Sequence, residues 1–139
     1  MNTTETSEDY LKSIFIISKS DEVHAAELAR TMGLTRPTVC KKLKNLRCDG
    51  FINVNAENAI SLTENGEKIA RAIYERNILF QYFLVNMGVD ECTAYNDACR
   101  LEHAVSNESF NAFKKIYLEK HWNKPSELSF IDEKRADYD

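Results

Sequence analysis

The stretch Ala25-Ala-Glu-Leu-Ala-Arg-Thr-Met32, Gly33-Leu34, Thr35-Arg-Pro-Thr-Val-Cys-Lys-Lys-Leu-Lys-Asn-Leu-Arg47 decides the fold. Residues 25–32 read as a short helix, stopped by Gly33, the residue that most easily adopts the left-handed conformation ending a helix. Thr35 is placed to cap the next helix, with Pro37 in its first turn, where a missing N–H costs little. Val39, Leu43 and Leu46 recur at helical spacing and form the buried stripe of this second helix. Two short helices joined by a tight Gly-containing turn are the helix-turn-helix pattern.

Working outward, Ser7 is the expected N-cap of a preceding helix with Glu8 and Asp9 in its first turn. Its apolar face is Leu11, Ile14 and Phe15, flanked by Tyr10 and Ile17, with Asp9, Lys12 and Ser13 opposite. After the helix-turn-helix come two β-prone segments, Phe51–Asn55 and Ala59–Leu62, joined across Ala56, Glu57 and Asn58 as a small hairpin. Thr63 caps a long helix with apolar positions at Ile69, Ile73, Phe80, Leu84 and Met87, ending at Gly88. Asp90 opens another helix (Ala94, Ala98, Leu101, Val105) and Ser106 a last one (Phe110, Phe113, Tyr117). The expected fold is mainly α: an N-terminal winged helix-turn-helix with a small β-hairpin, then an all-helical dimerisation domain. The expected boundaries are 1–63 for the DNA-binding domain, 64–122 for the helical metal-binding and dimerisation domain, and 123–139, beyond Trp122, for a polar tail.

The chain of 139 residues has a net charge of −4, but the charge is unevenly spread. Residues 30–50 carry Arg30, Arg36, Lys41, Lys42, Lys44 and Arg47 against Asp49 alone, a compact basic block in an acidic protein. Such a block is a patch for a polyanion. It lies on the second helix of the helix-turn-helix, so Thr35, Arg36, Pro37 and Thr38 at its N-terminal end are expected in the major groove of double-stranded DNA. Arg36 can pair with a guanine and the threonine methyls can contact thymine. Lys41, Lys42 and Lys44 are expected on phosphates, where they position the helix without reading bases. The wing tip, Ala56-Glu57-Asn58, is short and slightly acidic.

Other classes are disfavoured. The longest apolar run is four residues, Ile14 to Ile17, too short for a bilayer, and the acidic start MNTTETSED is not that of a secretory signal. Cytoplasmic location is the expectation, with Cys40, Cys48, Cys92 and Cys99 as reduced thiols. Three histidines, no phosphate-cradling glycine loop and no nucleophile motif give little from which to build an enzyme, so none is expected. Cys92 and Cys99 share a helical face but lie about 10.5 Å apart along the axis, too far for an intrahelical disulfide, which leaves redox control as a rival mechanism.

The chemistry concentrates in Cys99-Arg100-Leu101-Glu102-His103. On a helix Cys99, Glu102 and His103 fall within about 100° of one another. Thiolate, carboxylate and imidazole together are ligands for a borderline divalent transition metal. Polar clusters at this spacing also occur on solvated faces.

Four stretches carry a resemblance: Ser7-Glu8-Asp9-Tyr10-Leu11-Lys12; Thr35-Arg36-Pro37-Thr38-Val39; Ser61-Leu62-Thr63 before Gly66; and Asp97-Ala98-Cys99-Arg100-Leu101-Glu102-His103. Together, over roughly residues 7 to 121, the chain resembles the diphtheria toxin repressor and manganese transport regulator family of metal-dependent repressors. Its build is similar to the shorter, two-domain manganese branch, without the SH3-like domain of the iron branch. The resemblance implies a homodimer on a palindromic operator, with repression as the family habit. It also implies metal ligands at Asp9, Cys99, Glu102 and His103. Asp9 matches the manganese branch, Cys99 the iron branch, and Glu102 and His103 both. Lys12 stands where the manganese branch has a glutamate ligand, and Asn77 where both branches have a histidine. Gln81 and Tyr95 fall on further ancillary positions of the iron branch. One four-ligand site per subunit is implied, with the second lost. The thiolate favours Fe(II), Co(II), Ni(II) or Zn(II) over Mn(II), with Fe(II) the first choice. Lys12 is expected as a solvated surface lysine; the competing reading makes its ammonium a permanent substitute for the ion, with DNA binding independent of metal.

Overall fold

The computed structural model describes residues 3–120; the expected tail, with His121 and Trp122, lies outside them. Among the described residues six helices and one hairpin follow in the order α1 (Glu5–Ser18), α2 (Ala25–Met32), α3 (Arg36–Cys48), β1 (Ile52–Val54), β2 (Ile60–Leu62), α4 (Glu64–Asn86), α5 (Glu91–Ala104) and α6 (Asn107–Glu119). They form two compact units, one up to Ala72 and the other from Ile73.

The first unit is the expected winged helix-turn-helix. Its helices start where side chains can satisfy the free N–H groups of a first turn. Thr35 caps α3 by accepting from the Thr38 N–H, with Pro37 in the first turn. Gly33 ends α2 at φ 68°, and the N–H of Leu34 returns to the Ala29 carbonyl at 2.9 Å. The cap of α1 is Thr4 rather than Ser7. Thr4 accepts from the Ser7 N–H at 3.1 Å, and the helix thus begins one turn earlier than expected. Ser7 becomes a buried residue inside that turn.

Strands β1 and β2 pair antiparallel in the register Ile52 to Leu62, Asn53 to Ser61 and Val54 to Ile60. Alternation places Ile52 and Ile60 in the core and Asn53 and Ser61 outside. Val23 adds one bridge to Ile60, whose N–H donates to its carbonyl at 2.8 Å. The wing turn is closed by Asn55, whose Oδ1 accepts from the N–H groups of Glu57 and Ala59. The core unites Leu11 and Ile14 of α1, Leu28 of α2, Val39 and Leu46 of α3 and Ile52 of β1, each almost fully buried. Each such aliphatic side chain contributes about 1.5–3 kcal/mol by leaving water. Thr63 joins the wing to α4: its hydroxyl donates to the Gly50 carbonyl at 2.7 Å and accepts from the Gly66 N–H at 3.1 Å.

The second unit packs Leu79, Phe80, Tyr82 and Phe83 of α4 against Ala98 of α5 and Phe110 and Tyr117 of α6. The Tyr82 and Tyr117 rings meet edge-on with centroids 4.9 Å apart. Asp90 and Ser106 cap α5 and α6 as expected, accepting from the N–H groups of Thr93 and Ser109. Thr93 also holds the Asp90 carboxyl below its ordinary range. Two positions of the expected stripes differ. Met87 is 63% exposed, because α4 carries a wide face at 79, 80, 82 and 83 rather than one narrow row ending at 87, and Phe113 of α6 keeps part of its surface exposed while its ring meets Phe80 and Phe83 edge-on.

Candidate metal centre and nucleic-acid interface

On α3, burial of Val39, Leu43 and Leu46 turns the basic residues outward. Thr35, Arg36, Pro37, Thr38, Lys41 and Lys44 are exposed. Arg36, Cys40, Lys44 and Arg47 follow one another at i+4 and i+3 steps, a single strip of the helix. They line a cleft of about 380 Å³ with His24 at the start of α2 and Val54, Asn58 and Ile60 of the wing. Three fixed positive charges in one cleft beside the wing suit a phosphate backbone. Arg47 was missed as a candidate contact, although its distance of 11 residues from Arg36, three helical turns, places it on the same strip. Lys42 stands apart: it is half-buried and lines a separate polar pocket with Thr3, Thr4, Ser7 and Asn45.

In the second unit, α5 places Cys99, Glu102 and His103 on one face. The apolar residues Ala94 and Ala98 bury this helix, and Glu102 follows them into the interior with no exposed surface. The His103 side chain is 6% exposed, and its Nε2 lies 3.2 Å from Glu102 Oε1. A carboxylate taken wholly out of water needs positive charge or donors to offset the cost. Cys99 is half-buried, and its Sγ accepts a hydrogen bond from Asn77 Nδ2 at 3.5 Å. Asn77 Oδ1 in turn accepts from Gln81 Nε2 at 2.6 Å. Among the described residues the structure brings Glu102 and His103 together but does not group Cys99 Sγ with them at ligand-sharing distance; thiol, carboxylate and imidazole are donors that a borderline divalent transition metal accepts. Tyr95, 52% exposed, is a surface residue.

The last turn of α5 is held from α4. The Arg76 guanidinium donates to the Glu102 carbonyl at 3.3 Å, to the Val105 carbonyl, and to Asn107 Oδ1 at 2.6 Å. Sequence reading missed Arg76, since an arginine on a long helix carries no pattern that distinguishes a buried clamp from a surface charge.

Asp9 belongs to the first unit, on α1, where it is half-buried. Lys12, one turn later, is only 8% exposed, so the expectation of a solvated lysine was wrong. The polar side of α1 is not a solvent face, which a helix read in isolation cannot reveal.

Comparison with known proteins agrees with both halves. Residues 2–60 match the N-terminal DNA binding domain of the iron dependent repressors, and residues 63–120 match their metal binding and dimerisation domain. A relative described as an uncharacterised HTH-type transcriptional regulator of Methanocaldococcus jannaschii is 34% identical over 84% of this chain and 95% of its own. The chain belongs to the diphtheria toxin repressor and manganese transport regulator family. The transcriptional regulator MntR of Escherichia coli O157:H7 is 35% identical over 84% of this chain and 76% of its own. A solved manganese-dependent transcriptional repressor in complex with manganese is similar at 29% identity with a TM-score of 0.72 over 78% of this chain. The chain spans about half the length of that structure, 51%. Members of the family are transcriptional repressors, not enzymes. Among the described residues no helix is long and apolar enough to cross a membrane.

Proposed function

We propose that the chain is a metal-responsive, cytoplasmic transcriptional repressor that binds a palindromic operator as a homodimer. One divalent transition-metal ion per subunit is held by Asp9 of α1 with Cys99, Glu102 and His103 of α5. The observation that carries this reading is the buried Glu102 carboxylate beside His103 on the helix that also bears Cys99, in a chain whose other unit presents a cationic recognition helix. When bound, the ion supplies a multivalent positive centre that several protein donors can share. Cys99 gives that centre a soft donor, which favours Fe(II), with Co(II), Ni(II) and Zn(II) next and Mn(II) last. Asp9 makes the centre report to the DNA-binding domain, because α1 is part of the core on which α3 rests. The proposed domains are 1–63 and 64–122, and the exposed Val85, Met87 and Ile116 offer apolar surface for a two-fold interface.

The test uses anaerobic, metal-free full-length protein titrated with Fe(II), Mn(II), Co(II) and Zn(II), followed by binding to duplexes selected from a random pool. One site per subunit is expected, with DNA binding tightened about 5- to 150-fold by metal. Cys99→Ala and Glu102→Ala should each weaken metal binding sharply. Unchanged metal affinity in Cys99→Ala, or no site at all, overturns the reading.

The burial of Lys12 favours a second reading. Here the ammonium of Lys12 stands permanently in place of an ion beside Asp9, and the repressor no longer senses metal. Metal-free protein then binds DNA as tightly as loaded protein, and Lys12→Met abolishes that binding. Equal loss of DNA affinity on metal removal in both proteins rejects it.

A further inference from the structure

Two amides of α4 reach toward Cys99 in series. Asn77 turns its NH2 toward Sγ, at 3.5 Å, and its carbonyl oxygen away. That oxygen accepts from Gln81 Nε2 at 2.6 Å, which locks the amide in this orientation. Asn77 is 4% exposed, so water does not compete for either end.

We propose that Asn77, oriented by Gln81, is a specificity-determining residue: it presents Cys99 as a sulfur donor and withholds its own oxygen from the ion. The inference rests on the metal site proposed above. The hydrogen bond fixes the direction from which the sulfur can be approached, as outer-shell partners do for metal ligands generally. Meanwhile the Asn77 carbonyl, a hard donor suited to Mn(II), is committed to Gln81. A reversed amide would offer oxygen where this one offers N–H. The pair thus biases the site toward metals that accept thiolate and against those that prefer oxygen. Asn77 acts through Cys99 and is a positioning residue, not a ligand.

The experiment compares wild type, Asn77→Leu and Gln81→Leu, each as the full chain, by Co(II) absorption and by competition between Co(II) and Mn(II). Asn77→Leu keeps the volume and removes both the donor and the oxygen. It should shift the sulfur-to-cobalt charge-transfer band and lower the preference for Co(II) over Mn(II) by about tenfold or more. Gln81→Leu, half-buried and out of contact with the sulfur by these bonds, should move both readouts the same way but less, and it serves if Asn77→Leu does not fold. Folding is checked by circular dichroism on the metal-free proteins. A band position and metal preference unchanged in both variants overturn the inference while leaving the metal site standing. A wild type that binds Co(II) without a charge-transfer band removes sulfur from the site and overturns it as well. No Co(II) binding by wild type instead fails the proposed function itself, and this inference with it.

Discussion

Gly66→Ala is expected to destabilise the DNA-binding unit by about 2–3 kcal/mol or more, the upper part of the range for overpacking. Propensity alone points the other way, since Ala in a helix interior is favoured over Gly by about 0.5–1 kcal/mol. The deciding fact is distance. A Cβ at position 66 would sit 2.0 Å from the carbonyl oxygen of Phe51 and 3.0 Å from its carbon. That oxygen belongs to backbone, and it already accepts the Thr63 N–H at 3.0 Å. Moving it away would break the joint where the end of α3, the wing and the first turn of α4 meet. A rotamer change cannot relieve such a clash, so steric exclusion wins over propensity. Thermal unfolding followed by circular dichroism should show a midpoint lower by roughly 10 °C or more, using the usual conversion for a domain of this size. A midpoint equal to or above that of wild type would refute the close approach.

The same joint marks how far the sequence could be read. The helix-turn-helix was legible because each of its parts has a local cause: the Gly33 stop, the Thr35 cap with Pro37, and a stripe of three aliphatics. The hairpin register was not, because strands of three residues are set by what they pack on. Ser61-Leu62-Thr63 before Gly66 stands out as a motif, but only the folded backbone shows that the glycine is required by the Phe51 carbonyl. In the candidate site, Cys99, Glu102 and His103 were legible from helical spacing and composition. What surrounds them was not. The relay from Gln81 through Asn77, the clamp of Arg76 and the burial of Lys12 all depend on contacts distant in sequence, and polar residues on a helix give no sign of their depth.

Arg76→Met is the second large effect. The guanidinium is 9% exposed and lies 5.0 Å from the centroid of the Phe110 ring, so its charge is held in a largely dry setting. Its hydrogens satisfy two carbonyls at the C-terminal end of α5, where the last turn has no partners of its own, and the side chain of Asn107 at the start of α6. Methionine restores the volume but none of the donors. Each buried acceptor left without a hydrogen bond costs about 1–3 kcal/mol, so the expected loss is roughly 3–5 kcal/mol in denaturant unfolding. Arg76→Lys keeps the charge at the C-terminal end of α5 but lacks the planar fork that reaches three acceptors at once; it should recover only part of that loss. Because one of those acceptors is the carbonyl of Glu102 itself, the damage should be directional. Hydrogen exchange should quicken first at the α5–α6 junction around residues 104–107, before the rest of the unit loosens. In the metal titration Arg76→Lys should weaken binding while the Cys99 hydrogen bond from Asn77 persists, so total affinity falls but the preference for Co(II) over Mn(II) is kept. If Arg76→Met unfolds at the wild-type denaturant concentration, the clamp does not contribute to the stability of this unit.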